Sequence, residues 1–142
     1  MARISIKGVV IGGLTDVFLS FLLGMALIVL LFVLRIPRDE IHAAISAASR
    51  QQGMLWDVQL GIGFLCSALG GFVAARIARR NELLNGVLSS FLCISIGLFE
   101  IATSEGRHPV ALQLVLLAAS PLVSLLGGYL RLRWRLSQAE TA

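Results

Sequence analysis

This sequence is short of charge. Asp, Glu, Lys and Arg make up 14% of its 142 residues, against about a quarter in soluble domains. A chain of this length with 57% hydrophobic residues has too little polar surface to cover a water-soluble fold, so the bilayer must be its solvent. Cysteine is sparser still. Cys66 and Cys93 both lie in apolar stretches, form no CxxC pair and no zinc spacing, and read as small packing residues. The two histidines, His42 and His108, fall in polar segments with no matching ligand pattern. No Ser-His-Asp set, phosphate loop or haem-ligand pair occurs. The sequence therefore offers no catalytic, metal-binding or cofactor-binding residues, and the expectation is a non-enzyme without cofactors.

What is present is apolar length. Four stretches, 8–34, 56–77, 83–103 and 109–130, are each long enough to cross a hydrocarbon core of about 30 Å as a helix rising 1.5 Å per residue. Helices suit such a pattern because every backbone polar group must be satisfied inside the segment. The first run far exceeds the roughly 7–15 apolar residues of a signal peptide. It ends at Arg35 without a small-x-small cleavage site, so a retained helix is expected.

The basic residues divide unevenly. Arg3, Lys7, Arg76, Arg79, Arg80, Arg131, Arg133 and Arg135 fall on one side, and Arg35, Arg38, Arg50 and Arg107 on the other. The second side also carries Asp39, Glu40, Asp57, Glu100 and Glu105. The positive-inside rule then places both termini in the cytoplasm, most simply of a bacterial inner membrane. Trp56 falls at the outer interface, and Tyr129 and Trp134 at the inner one, as aromatic belts do. The net charge of +4 thus reads as topology. Arg76, Arg79, Arg80, Arg131, Arg133 and Arg135 are set to face anionic lipid, not nucleic acid.

The links between spans two and three and between spans three and four are short, which favours antiparallel neighbours. The first link, "RIPRDEIHAAISAASRQQGM", is longer. Pro37 is followed by acids suited to a helix start, Ile41, Ala44, Ile45 and Ala48 recur at helical spacing, and Gly53 can stop the helix. A short amphipathic helix over 38–52 is expected on the outer face, either lying in the headgroups or docking another membrane protein.

Two segments repeat. Span two leaves as "LGGFVAARIARR" and span four as "LGGYLRLRWR"; span one starts with "KGVVIGGL" and span three with "NGVLSSFL". The expected architecture is all-α: four transmembrane helices as two tandem hairpins in parallel repeat, the outer helix between the first two, and a basic tail over 131–142. Gly12, Gly13, Gly70, Gly71, Gly86, Gly127 and Gly128 all lie in the cytoplasmic half. Small residues there permit close helix approach in lipid. A tightly packed bundle without a cavity follows as the simplest expectation.

The exit Gly70-Gly71-x-x-Ala74-x-Arg76, followed by Asn85-Gly86 at the next helix start, resembles a group of small four-helix bacterial integral membrane proteins of uncharacterised function. The resemblance implies the four-helix layout and no activity.

Asp16 is the one ionisable residue between Gly8 and Leu34. Nine residues beyond Lys7, it lies about 13 Å deep. Ser67, Ser120 and Ser124 fall at similar depths on spans two and four, and Pro121 is expected to kink span four beside them. Three readings stay open. Asp16 is uncharged and fixes helix register by a hydrogen bond; or it exchanges a proton or cation during transport; or it meets a basic residue of a partner. The leading functional expectation is an accessory or assembly subunit of a larger membrane complex, packed against another membrane protein or itself. The alternative is a small homo-oligomeric proton- or cation-coupled transporter or channel using Asp16.

Overall fold

The computed structural model describes residues 4–34, 37–49, 53–78, 81–103 and 110–140. They form six helices: α1 (Ile6–Val33), α2 (Arg38–Ser49), α3 (Met54–Ala78), α4 (Glu82–Ser89), α5 (Phe91–Thr103) and α6 (Val110–Glu140). No strand occurs among the described residues. α1, α3, the α4–α5 pair and α6 are each long and apolar enough to cross a bilayer. The chain is an integral membrane protein.

Local chemistry explains the helix ends. Ser5 caps α1, its hydroxyl accepting from the Gly8 N–H. Asp39 and Glu40 occupy the first turn of α2, where the helix dipole favours negative charge. Gly53 adopts φ +81° ahead of α3, and its carbonyl accepts from the N–H groups of Trp56 and Asp57. Asn81 turns the chain into α4 at φ 50°, a left-handed conformation that Asn tolerates better than most residues.

Two expectations change here. The third span is not one helix: it breaks at Ser90 into α4 and α5. Ser89 and Ser90 donate their hydroxyls to the carbonyls of Gly86 and Val87, at 2.6 and 2.7 Å. Serine side chains that bond back to the helix in this way compete with its regular ladder. The basic tail is not a separate segment, because α6 continues as helix to Glu140. α6 runs through Pro121 without a break in the helix. Of the apolar stripe expected on α2, Ile41 is buried against the bundle, whereas Ile45 is exposed. Residues 50–52 and the side chain of Ala48 lie outside the described residues, as do Arg3, Arg35, Arg79, Arg80, Glu105, Arg107, His108 and the side chain of Glu100.

The core is built from small and polar side chains. Cys66, Ala74, Ala75, Asn85, Ser89, Ser90 and Ser124 are buried, while Phe18, Phe21, Leu65, Leu69, Val115 and Leu122 face outward. Such a core suits lipid, which drives helix association through packing and hydrogen bonds and not through hydrophobic burial. The start of α1, the end of α3, the start of α4 and the last third of α6 meet at one end of the bundle, termed here the basic end. Ser5 N–H donates to Asn85 Oδ1 at 2.8 Å, and a Cβ on Gly8 would lie 2.9 Å from the Ala74 carbonyl oxygen.

The two halves of the bundle pack differently. Toward the basic end, a Cβ on Gly12 would come within 2.6 Å of Ala74 Cβ, and one on Gly70 within 2.9 Å of Asp16 Cβ. Gly71 and Gly127 are tighter still: added Cβ atoms would overlap the carbonyl oxygens of Ser124 and Ala68. Gly13 meets Ser89, Gly86 meets Ser124, and Gly128 meets Glu82. In the other half, Gly24, Gly61 and Gly63 have nothing within 4 Å of the Cβ position. α4 packs against α1, α3 and α6, whereas α5 touches α1, α6 and α4 and makes no contact with α3. The helices converge at the basic end and leave a gap between α3 and α5 at the other.

Candidate functional site

That gap is a cavity of about 420 Å³. Its floor is polar: Asp16 and Ser20 from α1, Ser67 from α3, Cys93 from α5 and Ser120 from α6. Its upper walls include Trp56, Gln59, Ile101 and Gln113, near the far ends of α3, α5 and α6. The expected bundle without a cavity is therefore corrected. Small residues draw the helices together only where they occur on facing surfaces. Beyond Asp16, the glycines of α1 and α3 have no facing backbone to meet.

Asp16 is 3% exposed. Its Oδ2 accepts from the Ser67 hydroxyl at 2.8 Å. Ser20, one turn further along α1, brings a second hydroxyl to the same carboxyl. Beneath them, Ser124 Oγ donates to the Ser67 carbonyl at 3.2 Å and ties α6 to α3. Asp16, Ser67, Ser120 and Ser124, expected in one layer, are all buried. Asp16, Ser67 and Ser120 face the cavity, while Ser124 belongs to the packed plug below it. Pro121 does not line the cavity.

The lining contains no Lys, Arg or His. A buried carboxylate without a countercharge is costly in a membrane. The groups that meet the Asp16 carboxyl are the hydroxyls of Ser67 and Ser20. Two further polar groups of α6 face the same space. Gln113 Oε1 is buried without a hydrogen-bond partner, and the buried Ser120 hydroxyl meets the Cys93 thiol. No group of three or more His, Cys, Asp or Glu residues able to hold a metal ion occurs among the described residues.

A second carboxyl lies at the basic end. Glu82 opens α4 with its side chain 3% exposed, and its Oε1 pairs with Arg135 Nη1 of α6 at 2.8 Å. Arg131 lies 5.2 Å from the ring centre of Trp134, and Trp134 stacks on Phe72 at 6.1 Å between centroids. The expected surface arginines thus differ. Arg76, Arg133 and Arg135 are exposed; Arg135 pairs across to Glu82 of α4, and Arg131 covers Trp134 of its own helix, whose ring stacks on Phe72 of α3. Arg135→Ala is expected to destabilise the bundle by about 1–2 kcal/mol, because it strips the countercharge from a buried carboxylate. Arg133→Ala should be neutral. Thermal unfolding in mild detergent checks the pair, and equal melting temperatures would refute the contact.

Sequence reasoning missed Glu82, Ser20, Gln113 and Gln59. Two of them carried a signal. Ser20 lies four residues after Asp16 and so shares its helix face. Glu82 is the single acid between Arg76 and the start of the third span. Gln59 and Gln113 became meaningful only when their helices were placed around a common space.

Comparison with protein-family models, curated proteins and solved structures finds no match for this chain.

Proposed function

We propose that this protein is a small membrane transporter or channel for a proton or a cation, with Asp16 as its coupling group. One observation carries the reading: a cavity of about 420 Å³ that ends on a buried carboxyl and is lined by no basic residue. Beneath the floor, glycine-mediated packing closes the other half. A one-sided cavity over an intramembrane acid is the arrangement that alternating exposure of a binding group requires. The charge distribution orients the molecule with both termini in the cytoplasm of a bacterial inner membrane and the cavity toward the outer face. The repeated Gly-Gly and Gly-Val motifs support two tandem hairpins as the origin of the four spans.

The accessory-subunit reading loses part of its basis. The small-residue faces that suggested docking are occupied within the chain, since Gly12, Gly70, Gly71 and Gly127 each abut a neighbouring helix. It keeps one observation. The far half of α1 presents Phe21, Met25, Val29 and Phe32, a surface for lipid or for a partner helix.

Flux in proteoliposomes tests the proposal. With an imposed proton or sodium gradient, the wild-type protein should dissipate it faster than empty vesicles. Gly63→Leu should slow that flux by about tenfold or more, because a side chain placed in open lining space blocks access without touching the carboxyl. Gly63→Leu flux equal to wild type would sink the proposal. A stoichiometric partner recovered from native membranes, with no gradient dissipation, would favour the accessory reading.

A further inference from the structure

The volume of the cavity asks for more than a proton. About 420 Å³ lies within the roughly 300–1,000 Å³ range of small-molecule sites, while a proton or a bare metal ion would leave most of it empty. We infer that the cavity of Asp16 binds an organic ammonium ion: a protonated amine on an apolar body. The inference rests on the proposed coupling role of Asp16 and names the ligand class for the same site.

The lining selects this class by elimination. Leu60, Phe64, Ile96, Leu116 and Leu117 make most of the wall apolar, which a small hydrated cation does not match. The floor and upper wall supply acceptors. At the floor Asp16 offers its carboxyl and the 6%-exposed Ser120 its hydroxyl oxygen, beside the Cys93 thiol, while Gln113 Oε1 in the upper wall is buried with no hydrogen-bond partner. An anion would meet Asp16 with no basic residue to hold it. A neutral hydrocarbon would fill the volume but leave buried acceptors without donors, at a cost of about 1–3 kcal/mol each. An ammonium at the floor donates N–H groups to Asp16 and Ser120, neutralises the carboxylate and places its hydrocarbon part against the wall below Gln113. Trp56 and Phe64, both lining residues, add ring faces that attract a cation on its way to the floor.

Isothermal titration of the full chain in lipid nanodiscs tests this with 4-phenylbutylammonium as probe, beside 4-phenylbutanol, 4-phenylbutyrate and sodium ion. The ammonium should bind at least about tenfold more tightly than the alcohol, because one hydrogen bond is charge-assisted. The butyrate should not bind. Asp16→Asn should weaken the ammonium by about tenfold or more and leave the alcohol unchanged. Ser120→Ala, which removes the floor hydroxyl beside Asp16, should weaken it by about threefold to tenfold. Gly63→Leu, which leaves every acceptor in place, should remove binding by filling the space. Equal affinity for alcohol and ammonium, or ammonium binding indifferent to Asp16→Asn, would overturn the inference in favour of a site for neutral apolar molecules. Cavity-dependent sodium or proton flux without ammonium binding would overturn the ligand class and leave the coupling role intact. Ammonium binding without any flux would keep the ligand class and remove the transport reading.

Discussion

Gly127→Ala should cost the folded bundle about 3 kcal/mol or more, at the upper end of what overpacking usually costs. A Cβ at Gly127 would overlap the Ala68 carbonyl oxygen on α3, and one at Gly71 would overlap the Ser124 carbonyl oxygen on α6. The obstacle in each case is backbone, which cannot turn aside as a side chain tip can. Relief requires α3 and α6 to separate along the seam where Ser124 Oγ meets the Ser67 carbonyl, and that seam underlies the floor of the cavity. Gly71→Ala should therefore behave like Gly127→Ala. Gly24→Ala and Gly61→Ala provide the contrast. Nothing lies within 4 Å of either Cβ position, so alanine should stabilise the helix by about 0.5–1 kcal/mol through its lower conformational entropy cost. Unfolding midpoints in mixed detergent micelles measure all four variants. Midpoints that ignore which half of the bundle is substituted would refute the packing asymmetry from which the cavity follows.

Asp16→Asn should abolish coupled flux, by at least about two orders of magnitude if the carboxyl is the sole protonatable group in the path, while the bundle remains folded. Asparagine preserves shape and keeps a carbonyl oxygen to accept from Ser67, so the 2.8 Å contact between α1 and α3 survives. Only the capacity to gain and lose a charge is removed. Asp16→Ala is the harsher comparison. It strands the Ser67 hydroxyl in the interior and should cost about 1–3 kcal/mol of stability in addition to activity. Circular dichroism and unfolding midpoints must accompany the flux measurement. Full flux in a folded Asp16→Asn protein would reduce Asp16 to a register contact between helices, which is the structural role its hydrogen bond to Ser67 already supports.

How much of this was legible beforehand depends on the range of the interaction. The apolar runs, the intramembrane acid and the serine layer are one-dimensional facts. Each follows from hydropathy or from counting 1.5 Å per residue, and Ser67 indeed reaches Asp16. The break at Ser90 was less legible. A hydroxyl that bonds back to its own helix, as Ser90 does, leaves the same sequence signature as one that bonds across to a neighbour, as Ser124 does. Pro121 shows that a helix breaker by type need not end a helix, since α6 runs through it.

The sequence by itself determined the four long apolar spans and the place of Asp16 along the first of them, because these depend on composition and helix rise. Only the tertiary structure decided that the glycines close one half of the bundle and leave the other open. It also decided that Glu82 is buried against Arg135 and that Gln113 shares a cavity with Asp16. Those outcomes depend on which helix faces meet. In lipid, where apolar side chains are content on either face, hydropathy carries almost no information about facing.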